Sequence, residues 1–177
     1  LDPGPAAPRV SVLICTYNGA RTLGETCAAV AGLDYPNVEV VVVDDGSTDG
    51  SAGIAELHGF RVMSTDNQGL SSARNTALAA ATGEIVAFID DDAMPDRHWL
   101  TYLVDTFART DFVAVGGPNL PVPGDGAVAD AVAAAPGNPI HVLVSDREAE
   151  HIPGCNMAFR RERLQAIHRQ PTREPGH

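Results

Sequence analysis

Val38-Glu39-Val40-Val41-Val42-Val43-Asp44 runs directly into Asp45-Gly46-Ser47-Thr48-Asp49-Gly50. A β-branched, nearly unbroken apolar run of this length reads as a strand covered on both faces, as in a parallel sheet. The acids and the Asp-Gly pair behind it read as a turn at the strand's carboxyl end. The same grammar repeats in both directions. Upstream, VSVLICT at 10–16 is a second buried strand and 21–33 reads as a helix. Downstream, 47–58 reads as a helix with Ser47 or Thr48 near its cap and Gly59 as its stop. A short strand is expected at 60–64, an Ala-rich helix at 70–81 stopped by Gly83, and a buried strand, EIVAFID, at 84–90. An amphipathic helix follows at 96–109, with Asp96 near its start, then a strand at 112–116. Strand and helix in alternation imply an α/β fold, a Rossmann-like, mostly parallel sheet with helices on both faces. Beyond Gly117 the rhythm breaks into a stretch at 118–139 rich in Pro, Gly and Ala, expected as a long excursion with one short helix. Residues 1–9 read as a Pro-rich linker, 10–167 as one domain and 168–177 as a polar tail.

Composition removes several function classes. The chain of 177 residues has 23 acidic and 12 basic residues and a formal net charge of −11. Such a surface repels phosphate backbones, so nucleic acid is not the expected partner. An anionic ligand would need local compensation by a cation or a well-placed Arg. All 12 basic residues are Arg. Without Lys, a Walker phosphate loop, a pyridoxal-phosphate Schiff base and a protein-kinase strand Lys are excluded. Cys15, Cys27 and Cys155 show no paired metal-ligand spacing, and the first two sit in apolar settings as packing residues. That usage fits a reducing compartment, so the expected location is the cytoplasm, with any membrane association supplied by segments outside this chain. No apolar run in the sequence is long enough to span a bilayer.

In an open parallel sheet, ligands bind beyond the carboxyl ends of the strands. Thr16, Tyr17 and Asn18 follow the first strand, Asp44 and Asp45 the second, Asp66 to Gly69 the third, and Asp90, Asp91 and Asp92 the fourth. Carboxylates gathered at neighbouring strand mouths repel one another unless a cation joins them, which points to Mg2+ or Mn2+, ions suited to hard oxygen ligands. Alternate residues of an extended stretch face the same way, so Asp90 and Asp92 can share a ligand while Asp91 points elsewhere. A dinucleotide fold would need G-x-G-x-x-G after the first strand, and Cys15-Thr16-Tyr17-Asn18-Gly19 does not match.

Taken in order, ICTYNGARTL at 14–23, VVVDDGSTDGS at 41–51, NQGLSSARNTAL at 67–78, FIDDDAMPD at 88–96 and GCNMAFRRERL at 154–164 resemble family 2 glycosyltransferases, which have the GT-A fold. The resemblance implies a metal-dependent, inverting transfer of a sugar from a nucleotide-diphosphate donor to an acceptor. The donor would be UDP-linked by family habit, with guanosine and thymidine donors left open, and the acceptor could be a glycan, a lipid or a small molecule. It implies that Thr16 and Tyr17 lie against the base and that Asp45 hydrogen-bonds the base edge. Arg74 would reach the base or the diphosphate. Asp90 and Asp92 would form the D-x-D pair, with Asp92 on the metal and Asp90 nearer the ribose. Gly154, Cys155 and Asn156 would line the sugar and acceptor side. A metal bridging the two phosphates stabilises the charge on the departing nucleoside diphosphate, and Arg74 adds a charge-assisted hydrogen bond.

The family pattern continues with a Gly-Gly-Phe-Asp stretch and an acidic motif carrying the general base. Leu164-Gln165-Ala166-Ile167 is followed instead by His168-Arg169-Gln170-Pro171. The expectation is therefore a chain, incomplete at its C-terminus, that binds donor and transfers poorly or not at all. Asp146, Glu148, Glu150 and His151 read as a solvated turn rather than a substitute base. Other readings are a non-catalytic nucleotide-sugar-binding module, a receiver-like signalling domain and a haloacid-dehalogenase-type phosphatase. The last two usually rely on a Lys that the sequence lacks.

Overall fold

A computed structural model describes residues 7–119, 126, 152 and 154–168, excluding the side chains of 167 and 168. Strand β1 is Val10–Thr16, β2 Val38–Asp44, β3 Arg61–Ser64, β4 Ile85–Asp90, β5 Ala114–Gly116 and β6 Asn156–Arg160. Helix α1 is Leu23–Ala31, α2 Ser51–Leu57, α3 Leu70–Ala80, α4 Trp99–Arg109 and α5 Arg161–His168. The strands form one sheet in the order β3-β2-β1-β4-β6-β5. β1 pairs in parallel with β2 and β4, β2 pairs in parallel with β3, and β6 runs antiparallel to both β4 and β5. This is the expected mostly parallel sheet. Its order and its antiparallel strand differ from the 2-1-3-4-5 parallel sheet of receiver domains.

Residues alternate between the two faces of each strand, and both faces are covered. Val12, Ile14, Val42, Ala87 and Ile89 pack against Leu23, Cys27 and Val30 of α1 and Trp99, Leu100, Leu103 and Phe107 of α4. Leu13, Val41, Val43, Val86 and Phe88 face the other way, onto Ala73, Ala77 and Leu78 of α3. The small residues of α3 let it lie close to the sheet. The large ones of α4 fill a deeper layer, each worth about 1.5–3 kcal/mol on burial.

β1 and β2 have the expected bounds and α3 has the expected start at Leu70, whereas α1, α2 and α4 begin later than expected, at Leu23, Ser51 and Trp99. α2 begins at Ser51 behind Gly50, which takes a left-handed conformation, and no side chain caps the helix. Ser47 and Thr48 are drawn away: Asn18 N–H donates to Ser47 Oγ at 2.8 Å, and Thr48 N–H donates to Asn18 Oδ1 at 2.9 Å. α4 begins at Trp99 because Asp96 closes a turn first, accepting from His98 N–H at 2.8 Å. β6 comes from a segment read only as a loop on the acceptor side. Arg160 holds it in place, donating to the carbonyls of Phe107 (2.7 Å), Thr110 (2.9 Å) and Phe112 (3.0 Å) at the end of α4.

The end of the expected linker is tied to the domain: Tyr35 Oη donates to Pro8 O at 2.7 Å and Asn37 Nδ2 to Ala7 O at 2.9 Å. Residues 1–6, nearly all of the 118–139 excursion, the Asp146–His151 turn and the tail after His168 lie outside the described residues. Among the described residues no helix is long and apolar enough to cross a membrane.

Candidate functional site

The strand pairing sets the ends of the parallel strands level. Thr16 is opposite Asp44, Cys15 opposite Asp90, and Asp44 opposite Ser64. At this edge lies a cleft of about 280 Å³. Its walls are Cys15, Thr16 and Tyr17 after β1, Asp45 after β2, Leu70 and Ala73 of α3, and Asp90, Asp91 and Asp92 at the end of β4. Thr16, Tyr17, Asp45, Asp90 and Asp92, five of the expected site residues, thus meet on one surface. Arg74 stands next to it, held by Asp90.

The five carboxylates at this edge have different occupations. Asp45 is buried, and its oxygens accept from Gln68 N–H (2.9 Å), Gly69 N–H (2.8 Å) and Thr65 Oγ1 (3.2 Å). It pins the β3–α3 loop to β2, and three of its roughly four acceptor positions are used. Asp44 is buried and accepts from Ser47 N–H at 3.2 Å. Asp90 takes Arg74 Nη2 at 3.1 Å. Asp91 turns back and accepts from Thr16 Oγ1. Burial pushes the Asp91 carboxyl above its usual range; the Thr16 hydrogen bond works against that, and the charges of Asp92 and Asp90 add to it. Asp92 is exposed at the mouth. The extended run expected over Asp90–Asp92 is not present: β4 ends at Asp90, and Asp91 and Asp92 lie in the turn that follows, so the direction of Asp91 is set by its bond to Thr16 rather than by strand alternation.

Among the described residues no group of three His, Cys, Asp or Glu side chains is arranged to hold a metal ion. Mg2+ and similar ions are commonly held by one or two carboxylates together with substrate phosphates and water. Asp92, with Asp90 beside it, fits that kind of ion and does not fit an all-protein cage.

Tyr17 is 55% exposed and Leu70 51% exposed, two apolar surfaces on the same cleft. Tyr17 is carried on a clasped loop. Besides the Asn18 contacts with Ser47 and Thr48, Gly19 N–H donates to Ser51 Oγ at 3.1 Å and Ala20 N–H to Asp49 Oδ2 at 2.9 Å. Hydrogen bonds from Ser51 and Ala20 hold the Asp49 carboxyl below its usual range. This clasp and the part of Leu70 escaped the sequence reading. The signal for Leu70 was an apolar residue opening a helix at a strand mouth. Cys15, taken as a packing residue, also touches the cleft, and burial pushes its thiol up to about 12.

Gly154 lies beside Arg74, and neither it nor Cys155 nor Asn156 is among the described residues that line the cleft. Gly154 O accepts from Arg74 Nη2 at 3.3 Å, so one guanidinium joins α3, β4 and the segment before β6. Cys155 Sγ accepts from Asn119 Nδ2 at 2.7 Å. Asn156 accepts from Trp99 Nε1 at 2.9 Å and donates to Pro118 O at 3.2 Å, which ties β6 to α4.

The family model described as glycosyl transferase family 2 matches residues 11–167. An uncharacterized glycosyltransferase of Nostoc sp. is 39% identical over 113 residues, 60% of this chain and 35% of that protein. A mannosyltransferase of Pyrobaculum calidifontis, solved in complex with GDP-Man and Mn2+, superposes with a TM-score of 0.70 at 31% identity, covering 94% of this chain and 48% of that one. TarS of S. aureus superposes with a TM-score of 0.74 over 90% of this chain and 49% of that one; at 24% identity the likeness is one of fold. The chain therefore spans about a third of the length of the Nostoc relative and about half of the two solved structures.

Proposed function

Because the chain belongs to glycosyl transferase family 2, we propose that the cleft binds the nucleoside diphosphate of a sugar donor together with a divalent cation, Mn2+ or Mg2+. The observation that carries this reading is the meeting of Tyr17, Asp45, Asp90 and Asp92 on one cleft at the level ends of three parallel strands. Tyr17 offers a face to the base, and Leu70 offers an apolar wall. Asp45 keeps one acceptor position for a base N–H and holds the loop that leads to Leu70. Asp92 and Asp90 point carboxylate oxygens to the region where the diphosphate would lie. Arg74 can share its guanidinium between Asp90 and a phosphate oxygen. The cation, when bound, offsets the charge that develops on the leaving nucleoside diphosphate. Against a net charge of −11, the cation and Arg74 are what make an anionic ligand tolerable here.

The reaction proposed for the whole enzyme is transfer of the glycosyl group to an acceptor hydroxyl with inversion. Gly154, Cys155 and Asn156 lie on the side from which sugar and acceptor would approach. The acceptor is a glycan, a lipid or a small molecule.

Calorimetric titration of UDP, GDP and TDP, each with and without Mn2+, tests the donor site. The folded chain is expected to bind one of them in a metal-dependent manner, and Asp92→Ala to lose the metal-dependent part. The mannosyltransferase solved with GDP-Man and Mn2+ makes GDP as informative a probe as UDP. A folded chain that binds none of the three nucleotides, with or without Mn2+, would refute the reading.

A further inference from the structure

Asp91 and Thr16 are buried or half-buried polar residues whose bond the donor site does not itself use. Thr16 is 3% exposed at the end of β1, and its hydroxyl donates to Asp91 Oδ2. The backbone of the same residue is tied from another direction, since Thr26 Oγ1 of α1 donates to Asp91 O at 3.0 Å. The space around this contact is filled. A Cβ placed on Gly19 would lie 2.1 Å from Asp91 Oδ2 and 2.5 Å from Thr16 Oγ1. The chain passes this point only because residue 19 has no side chain.

Each partner is next to a residue of the donor site. Tyr17 follows Thr16, and Asp90 and Asp92 flank Asp91. The bond therefore joins the loop that carries the base-facing ring to the loop that carries the cation-facing carboxylates. We propose that Asp91 is a positioning residue that, through Thr16, fixes the spacing between Tyr17 and Asp92 and so couples nucleotide binding to cation binding. This rests on the donor-site reading above. Without the bond the two loops sample other spacings. A ligand that needs both at once then binds more weakly in proportion to the fraction correctly spaced.

The test is the ratio of nucleotide dissociation constants without and with Mn2+, measured for UDP and GDP by calorimetry on the 177-residue chain. Asp91→Ala and Thr16→Val are each expected to cut the Mn2+ enhancement about tenfold, equivalent to about 1.4 kcal/mol. The double variant should lose no more than either single one. Asp91→Asn keeps an oxygen acceptor for Thr16 and should retain most of the enhancement. Thr16→Ser should recover most of what Thr16→Val loses. A purely structural role would lower the melting temperature while leaving the ratio unchanged in the folded protein. If Asp91→Ala does not fold, as judged by circular dichroism, the Thr16→Val and Thr16→Ser pair carries the test. Loss in Asp91→Asn with no effect of Thr16→Val would overturn the proposal and make Asp91 a direct ligand. Unchanged ratios in all variants, with binding by the wild type, would overturn the proposal alone. No binding of either nucleotide by the wild type would overturn it together with its premise.

Discussion

Replacing Asp45 with Ala should cost more stability than any solvated turn residue would. The side chain is 4% exposed and accepts three hydrogen bonds, two of them from the consecutive backbone N–H groups of Gln68 and Gly69. A donor stripped of a buried acceptor costs about 1–3 kcal/mol. Residues 66–70 are exposed, so water will reach part of what Ala leaves unpaired. The expected loss is then about 2–4 kcal/mol in total rather than the sum of three full penalties. In a domain of this size that lowers the melting temperature by about 4–16 °C. Asp45→Asn keeps an oxygen for Gln68 and Thr65 but turns an amide nitrogen toward Gly69 N–H, and should lose about half as much. Urea unfolding followed by far-ultraviolet circular dichroism measures both variants. An Asp45→Ala protein within about 0.5 kcal/mol of the wild type, the range of an ordinary surface change, would refute the pinning role. The 65–69 loop would then owe its position to something else.

Three more outcomes follow from other parts of the molecule. A Cβ on Gly83 would lie 2.6 Å from Ser11 N and 2.7 Å from Arg9 O, both backbone atoms; Gly83→Ala should cost about 1–3 kcal/mol in urea unfolding, and a neutral result would refute the close packing. Burial works to raise the Glu39 carboxyl, but bonds from Ser11, Thr82 and Arg9 outweigh it and hold the group below its usual range. A depressed carboxylate stabilises the fold above its unfolded pKa and stops doing so as pH falls through the folded one. The stability gap between wild type and Glu39→Gln should therefore close in acid, below about pH 4; a gap that widens there would contradict this. With its thiol pushed up to about 12, Cys15 should be thiolate in only about one molecule in 10⁴ at pH 8 and resist iodoacetamide in the native state. Rapid native alkylation, located by mass spectrometry, would count against that environment.

The strands were legible because a doubly covered parallel strand writes itself as one apolar run. VSVLICT and VEVVVVD have the same bounds in the structure as in the sequence. The start of α3 at Leu70 was legible behind Gly69, but the start of α2 was not, since a cap is decided by which partner reaches a hydroxyl first. Ser47 looks like a cap in the local sequence, but the loop after β1 claims it from 29 residues away. β6 was hidden for a related reason. Asn156-Met157-Ala158-Phe159-Arg160 opens and closes on polar residues, and only the carbonyls at the end of α4 and the indole of Trp99 explain why these belong in a sheet. At the site, the gathering of acids was readable from strand order. Their division of labour was not, because Asp91 and Asp92 lie in a turn after β4, where alternation no longer sets direction, and the partner of Asp91 comes from β1.

The place of β6 has a consequence for the order in which the fold can be completed. β3, β2, β1 and β4 are all present once residue 90 has been synthesised, and these four pair with one another in parallel. Among the described residues the far edge of β4 is covered by β6 alone, which begins at Asn156. While the nascent chain from 91 to 155 is being made, the most apolar strand of that half keeps a row of unpaired backbone groups open to any other extended segment. Open edges of this kind invite pairing between chains. Elongation speed through that interval, and the chaperones present during it, should therefore govern the yield of native protein more than the stability of the finished sheet does.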